Sequence, residues 1–340
     1  MQKRNFKKYF KKKKESALIM RKQTKLVAVL STAALLAIGA SMTSFAATGW
    51  AEEDGTWVYY NRDGERATDQ WKKSGNNWYW LNSDGEMAID ELIQDGDNYY
   101  YVDINGVMAA NQWVAIDNED AGQDDEPDHY WYYFQANGKA LKNGDNARVA
   151  LKTVNGKKYA FDDEGRMLFG WVDADNAERI DNTDGDGFKE GDYYFGGEDD
   201  GAMTVGWLQM DITYDEATSD YEVSPVFNDD EDQTRWFYFK SNGKKVKAEN
   251  GDTQKSKTIN GKKYEFDQYG AMTAEWSLDV DTASTSGIRG DYSTATHSVS
   301  AKYAQQWRYF QDVENGARVS KGWFKVVSAE YLNYDKYNDC

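Results

Sequence analysis

Residues 50–70, 71–91 and 92–112 read WAEEDGTWVYYNRDGERATDQ, WKKSGNNWYWLNSDGEMAIDE and LIQDGDNYYYVDINGVMAANQ, and the next Trp follows at 113. Trp50, Trp71, Leu92 and Trp113 thus stand at a fixed spacing, with the same order of residue types between them, which is an internal repeat. Each unit places an aromatic cluster before a turn: Trp57-Val58-Tyr59-Tyr60 before Asp63-Gly64, Trp78-Tyr79-Trp80 before Asp84-Gly85, and Tyr99-Tyr100-Tyr101 before Asn105-Gly106. Rings and β-branched residues suit a pleated surface, and Asp-Gly or Asn-Gly supplies the positive φ of a tight hairpin turn. Alternation puts Trp57 and Tyr59 on one face and Val58 and Tyr60 on the other. A two-stranded ribbon cannot bury two aromatic faces by itself. Successive ribbons therefore stack, and the fold class expected is all-β, a solenoid of stacked β-hairpin repeats.

The pattern stretches beyond Trp113 without being lost. Trp131-Tyr132-Tyr133-Phe134 leads to Asn137-Gly138, Trp236-Phe237-Tyr238-Phe239 to Asn242-Gly243, and Trp307-Arg308-Tyr309-Phe310 to Asn315-Gly316. Asn137, Asn155 and Trp171 recur at the same offset as Asn242, Asn260 and Trp276, a longer duplication. A second hairpin type, Asn155-Gly156-Lys157-Lys158-Tyr159 and Asn260-Gly261-Lys262-Lys263-Tyr264, carries Lys158 or Lys263 in place of the leading Trp. Acidic stretches at 117–128, 173–192, 211–232 and 279–299 supply the extra length and read as loops projecting from one side of the stack. The division expected is residues 1–46 as an extension and leader, 47–112 as regular repeats, 113–322 as longer repeats with acidic insertions, and 323–340 as an incomplete unit.

Composition narrows the chemistry. With two His, one Cys and two Pro in 340 residues beside 13 Trp, 24 Tyr and 14 Phe, histidine-based catalysis, thiol catalysis and Cys/His zinc sites are disfavoured. His129 and His297 fall in acidic or Ser/Thr-rich surroundings and read as solvated, and Cys340 reads as inert. Residues 1–46 hold 11 Lys+Arg and one acid, leaving 29 basic against 57 acidic residues in the rest. Arg21, Lys22 and Lys25 precede an apolar run from Leu26 to Ala40, and Ser44-Phe45-Ala46 fits a signal-peptidase site, so a secreted protein without a transmembrane anchor is expected after cleavage. An acidic body is a poor match for nucleic acid. Asn182 to Gly187 follows half of a calcium loop, but Tyr193 stands where a bidentate Glu is needed. No cofactor is expected.

Gly49-Trp50, Gly170-Trp171, Gly206-Trp207 and Gly322-Trp323, the aromatic clusters, and turn-plus-Met endings such as Asp84-Gly85-Glu86-Met87 and Gly201-Ala202-Met203 resemble the choline-binding cell-wall repeats of Gram-positive surface proteins. The Asn-Gly-Lys-Lys-Tyr units are similar to the repeats of glucan-binding glucosyltransferases and of clostridial toxin receptor-binding tails. The resemblance implies a non-enzymatic, cell-wall-associated protein whose partners are the choline of teichoic acid or a polysaccharide. It also implies ligand cages made by the opening Trp and leading aromatic of one hairpin with a Tyr of the next. Carried across, these are Trp50, Trp57 and Tyr79; Trp71, Trp78 and Tyr100; and the pairs Trp113 with Trp131, Trp207 with Trp236, and Trp276 with Trp307. Ring quadrupoles hold a quaternary ammonium at about 0.5–2 kcal/mol each, and several millimolar sites along a polymer add up through avidity. Leu92, Lys158 and Lys263 break the cage pattern, and every ring is needed to staple hairpins whether or not a ligand binds. Three alternatives stand beside the choline reading: a glucan or host-glycan binder, a truncated cell-wall hydrolase lacking its catalytic domain, and a rod without ligand.

Overall fold

The computed structural model describes residues 48–123, 126–144, 148–182, 185–218, 231–249, 255–278 and 307–326; the side chains of Trp276, Leu278 and Trp307 lie outside that description. The leader, His297, Cys340 and the 279–299 stretch also fall outside the described residues.

The described residues are almost wholly strand and turn, arranged as antiparallel pairs with no larger sheet among them. The chain divides into two compact units, one of residues 1–116 with 132–141, the other of 117–131 with 142–340. In the first, β1 (Gly49–Glu53) pairs with β2 (Thr56–Tyr60), β3 (Gln70–Ser74) with β4 (Asn77–Leu81), and β5 (Glu91–Asp95) with β6 (Asn98–Val102). The pair β7 (Gln112–Asp117) and β8 (His129–Phe134) is where the division falls. The second unit holds β9 (Lys152–Val154) with β10 (Lys157–Tyr159), β11 (Gly170–Val172) with β12 (Tyr193–Phe195), and β13 (Gly206–Ile212) with β14 (Gln233–Phe239). It continues with β15 (Lys255–Ile259) on β16 (Lys262–Phe266) and β17 (Trp276–Leu278) on β18 (Trp307–Tyr309). Two short helices, α1 (Asp186–Glu190) and α2 (Tyr214–Thr218), occupy the insertions inside the β11–β12 and β13–β14 hairpins.

The strand-pairing turn lies before the aromatic cluster, which corrects the sequence reading that placed it after. Glu53 pairs with Thr56, so Asp54 and Gly55, with φ of 49° and 83°, form the two-residue loop, the positive-φ pair that matches strand twist. The Asp-Gly behind the cluster makes a second turn, which returns the chain to a single bridge such as Tyr60 with Arg66 or Leu81 with Met87.

That second turn couples neighbours. The residue behind it donates its backbone N–H to the carbonyl of the leading cluster residue of the preceding hairpin: Met87 to Trp57 at 2.7 Å, Met108 to Trp78 at 2.9 Å and Ala140 to Tyr99 at 2.8 Å in the first unit. The second unit repeats it, Met167 to Trp131, Met203 to Lys158, Lys245 to Asp192, Met272 to Trp236 and Arg318 to Lys263. The hairpins of each unit are therefore a ladder of equivalent steps, and the solenoid expectation holds. From the second hairpin on, the last cluster residue points inward: Leu81, Val102 and Phe134 in one unit, and Phe161, Phe195, Phe239, Phe266 and Phe310 in the other, are all 0 % exposed. Within each unit these residues make the aliphatic and aromatic interior that no single hairpin has.

The described part of the 173–192 insertion folds back on the hairpin. Its α1 lies on Trp171, because a Cβ added at Gly187 or Gly191 would stand 2.6 or 2.9 Å from the indole. His129 also departs from the reading as a solvated loop residue: it opens β8 and its Nε2 lies 3.1 Å from Asp199 Oδ1.

Candidate functional site

The register defines the faces. On β1–β2, Trp50 pairs with Tyr59 and Glu52 with Trp57, so Trp50, Trp57 and Tyr59 share the face toward the next hairpin. That hairpin sends back Tyr79, 2 % exposed, whose ring meets Trp50 at 5.3 Å between centroids and 72°. The next step repeats the arrangement: Trp71 faces Tyr100 at 5.1 Å and 58°, and Trp78, on the same face of the hairpin, is 41 % exposed with the Lys73 ammonium 5.8 Å from its ring centroid. In the second unit Trp207 lies 6.3 Å from Trp236 and 4.9 Å from Tyr264. Each of these three groups has a buried Tyr as floor and indoles that are at least partly exposed; Tyr264 in the third was not among the residues expected.

The remaining candidates are distributed differently. Trp113 packs on Tyr133 at 5.2 Å within the first unit, and Trp131 packs on His129 at 5.4 Å within the second. Backbone pairing places Trp276 and Trp307 in β17 and β18, in register with Tyr309 and Leu278. Leu92 pairs with Tyr101 in the opening position, and the carbonyls of Lys158 and Lys263 occupy the leading position, as their sequence place implies. In the β11–β12 hairpin that position falls to Asp192.

Carboxylates bonded to the indole N–H groups were not anticipated. Trp71 Nε1 donates to Asp95 Oδ2 at 3.2 Å, Trp131 Nε1 to Asp199 Oδ1 at 3.2 Å, and Trp236 Nε1 to Glu314 Oε2 at 3.2 Å. Gln209 Nε2 donates to the same Glu314 at 3.2 Å. Burial, then the nearby Asp95 charge, pushes the Tyr100 hydroxyl above the ordinary tyrosine range, so it stays a neutral donor. A carboxylate on the indole N–H sets a full negative charge beside the ring and favours a cation on it.

The first cage lacks this. Ser74 stands at its hairpin tip where Asp95 stands in the next, and Trp50 Nε1 is buried without a hydrogen-bond partner. Lys72, cross-strand from Tyr79, extends its ammonium to 4.7 Å over the Tyr59 ring and donates to Asn61 Oδ1 at 2.7 Å. A lysine here opposes an external cation. No sequence signal for these rim groups exists within a repeat, since each carboxylate comes from another hairpin.

Among the described residues no group of three or more His, Cys, Asp or Glu side chains is placed to hold a metal ion. Asn182 is engaged otherwise, its Oδ1 accepting from the Phe188 N–H at 3.1 Å and its Nδ2 donating to Glu216 at 2.8 Å. No helix among the described residues is long and apolar enough to cross a membrane.

Comparison with known proteins agrees with the repeat reading. The sequence model of the choline-binding repeat matches residues 67–113. No curated protein matches. Among solved structures, the chain is similar to the modular autolysin LytC of Streptococcus pneumoniae, solved with a synthetic peptidoglycan ligand, at 20% identity over 80% of this chain and 42% of that one, TM-score 0.42. It is similar to choline binding protein F of Streptococcus pneumoniae at 23% identity over 67% of this chain and 57% of that one, TM-score 0.39. The choline binding domain of Spr1274 from Streptococcus pneumoniae shares 33% identity over 28% of this chain and 95% of its own, TM-score 0.21. The chain spans less than half of LytC's length.

Proposed function

We propose, from the premise that residues 67–113 make this chain a choline-binding repeat protein, that it is a secreted, non-catalytic protein held on the bacterial envelope by choline-like head groups. The boxes that do this are Trp71, Trp78 and Tyr100 in one unit and Trp207, Trp236 and Tyr264 in the other. Trp50, Trp57 and Tyr79 form a weaker third, because no carboxylate meets the Trp50 indole N–H and Lys72 lies 4.7 Å over the adjoining Tyr59 ring. The observation that carries the reading is the carboxylate at both principal boxes, Asp95 on the Trp71 indole and Glu314 on the Trp236 indole.

A quaternary ammonium is weakly hydrated and donates no hydrogen bonds, so rings and a nearby negative charge are what it can use. A neutral sugar gains from the rings but not from the charge. Three rings reach the millimolar range, about −4 kcal/mol, and two or three such boxes facing a polymer of repeated head groups hold by avidity. The reading is tested by retention of the full chain on choline-agarose and its release by free choline. Passage through that column together with retention on dextran would transfer the function to glycan binding, for which the units led by Lys158 and Lys263 are the better candidates.

A further inference from the structure

The seam opened by Trp171 is built like the others and yet closed. Its indole is 2 % exposed, ringed by Tyr194 at 5.1 Å, Phe237 at 5.6 Å and Phe239 at 5.9 Å between centroids. Phe237 occupies in β14 the place that Tyr79 holds in β4. The leading wall is missing, since Asp192 stands there in place of an aromatic. Lys245 fills the gap. In the ladder of second turns it takes the position held by Met87, Met108, Met167, Met203 and Met272. Its stem follows the same course, as a Cβ on the following turn glycine, Gly270, would meet Lys245 Cδ at 2.8 Å. Its ammonium then lies 4.8 Å over the Trp171 ring and 5.8 Å from that of Phe237, and donates to the backbone carbonyl of Phe188 in α1. Lys245 is 2 % exposed.

The geometry points to Lys245 as the protein's own ligand in this seam: an aromatic site for a primary alkylammonium, filled from within and shut by α1. A primary rather than a quaternary ammonium is specified because the Phe188 carbonyl takes one N–H while the rings take the charge. The neighbouring Asp192 carboxylate is ion-paired to Lys247 at 3.0 Å, so its charge is already compensated. This seam accordingly accepts no outside cation. The inference stands on the geometry at Trp171 and does not depend on which ligand the open boxes take.

Lys245→Ala removes the last three carbons and the nitrogen, a space the size of propylammonium. Unfolding of the full chain is followed by circular dichroism with added propylammonium or 1-propanol. Propylammonium is expected to stabilise the Ala variant, multiplying its folded-to-unfolded ratio about elevenfold at ten times the dissociation constant. Propanol is expected to leave it unchanged, and Lys245→Met, which refills the space with the residue used at equivalent steps, is expected to ignore both. Equal effects of amine and alcohol, or an equal response of the Met variant, would overturn the inference. If the Ala variant is unfolded, recovery of the strand signal by the amine is the readout, and no recovery overturns it as well.

Discussion

Removing the rim charges while keeping their hydrogen bonds isolates the feature that selects a cation. In the double variant Asp95→Asn, Glu314→Gln, the amide oxygen still accepts from Trp71 Nε1 and Trp236 Nε1, both now bonded to carboxylates at 3.2 Å, so only the charge is lost. A cation centred over either indole sits about 6 Å from the carboxylate. Coulomb's law gives about 0.7 kcal/mol at the dielectric constant of water and about 1.4 kcal/mol at half that value, the range suited to an exposed rim. Choline affinity at low ionic strength should therefore fall about 3- to 10-fold, measured by titration of Trp fluorescence or by calorimetry. The wild-type protein should lose about half of this advantage as salt rises, because the screening length shrinks to about 8 Å at physiological ionic strength, comparable with the separation, whereas the variant should respond little to salt. Binding of neutral oligosaccharides should be the same in both. An unchanged choline affinity in low salt, or an equal loss for choline and sugar, would refute the reasoning that the indole-bound carboxylates select charge.

Two further outcomes test the fold that holds these boxes. Gly243→Ala places a Cβ 2.3 Å from Met203 Sδ and 3.0 Å from Tyr193 at a φ of +85°; the thioether can move but the backbone strain stays, so a loss of about 1–3 kcal/mol is expected in urea unfolding. Burial, then the neighbouring Lys247 charge, holds the Lys245 ammonium well below the ordinary lysine range, so between its folded pKa and about 10.5 the unfolded chain binds the extra proton and stability rises with pH. Asp192 and Asp267 face it and work in the opposite direction. Lys245→Met should flatten this rise in denaturant midpoints below pH 10. Above pH 10 the slope should reverse in both proteins, because burial raises the hydroxyls of Tyr100, Tyr193 and Tyr194 and the unfolded chain then gives up protons first.

How far the sequence carries depends on whether a feature belongs to one repeat or to several. The strand pairs were legible because their cause is local: rings at alternate positions, and Asp54-Gly55 or Asn155-Gly156 able to take positive φ. Even there, each repeat has two Gly turns, and periodicity could not say which one joins the paired strands. The opening and leading Trp positions were legible for the same reason. Which Tyr floors each box followed from the register, since Tyr79 and Tyr100 come from the next unit at a constant offset.

The rim and the closed seam were beyond such reading. Asp95 lies 24 residues from Trp71 within the regular repeats, whereas Glu314 lies 78 from Trp236 and 105 from Gln209, across insertions of unequal length. In sequence these carboxylates look like any others in a chain with 58 acidic residues. Lys245 looks like one more surface lysine, but it stands 57 residues from the Phe188 carbonyl that holds it. The 173–192 stretch reads as a solvated loop because its charges dominate its composition, while Phe188, 2 % exposed, does the packing. By itself, the amino-acid sequence determined a stack of hairpins that must lean on one another, because a thin ribbon with rings on both sides has no interior of its own. Only the tertiary structure decided which seams stay open, which carry a negative rim and which is filled by the chain's own ammonium. Those properties arise where side chains from three or more hairpins meet, and their contacts have no fixed spacing along the chain.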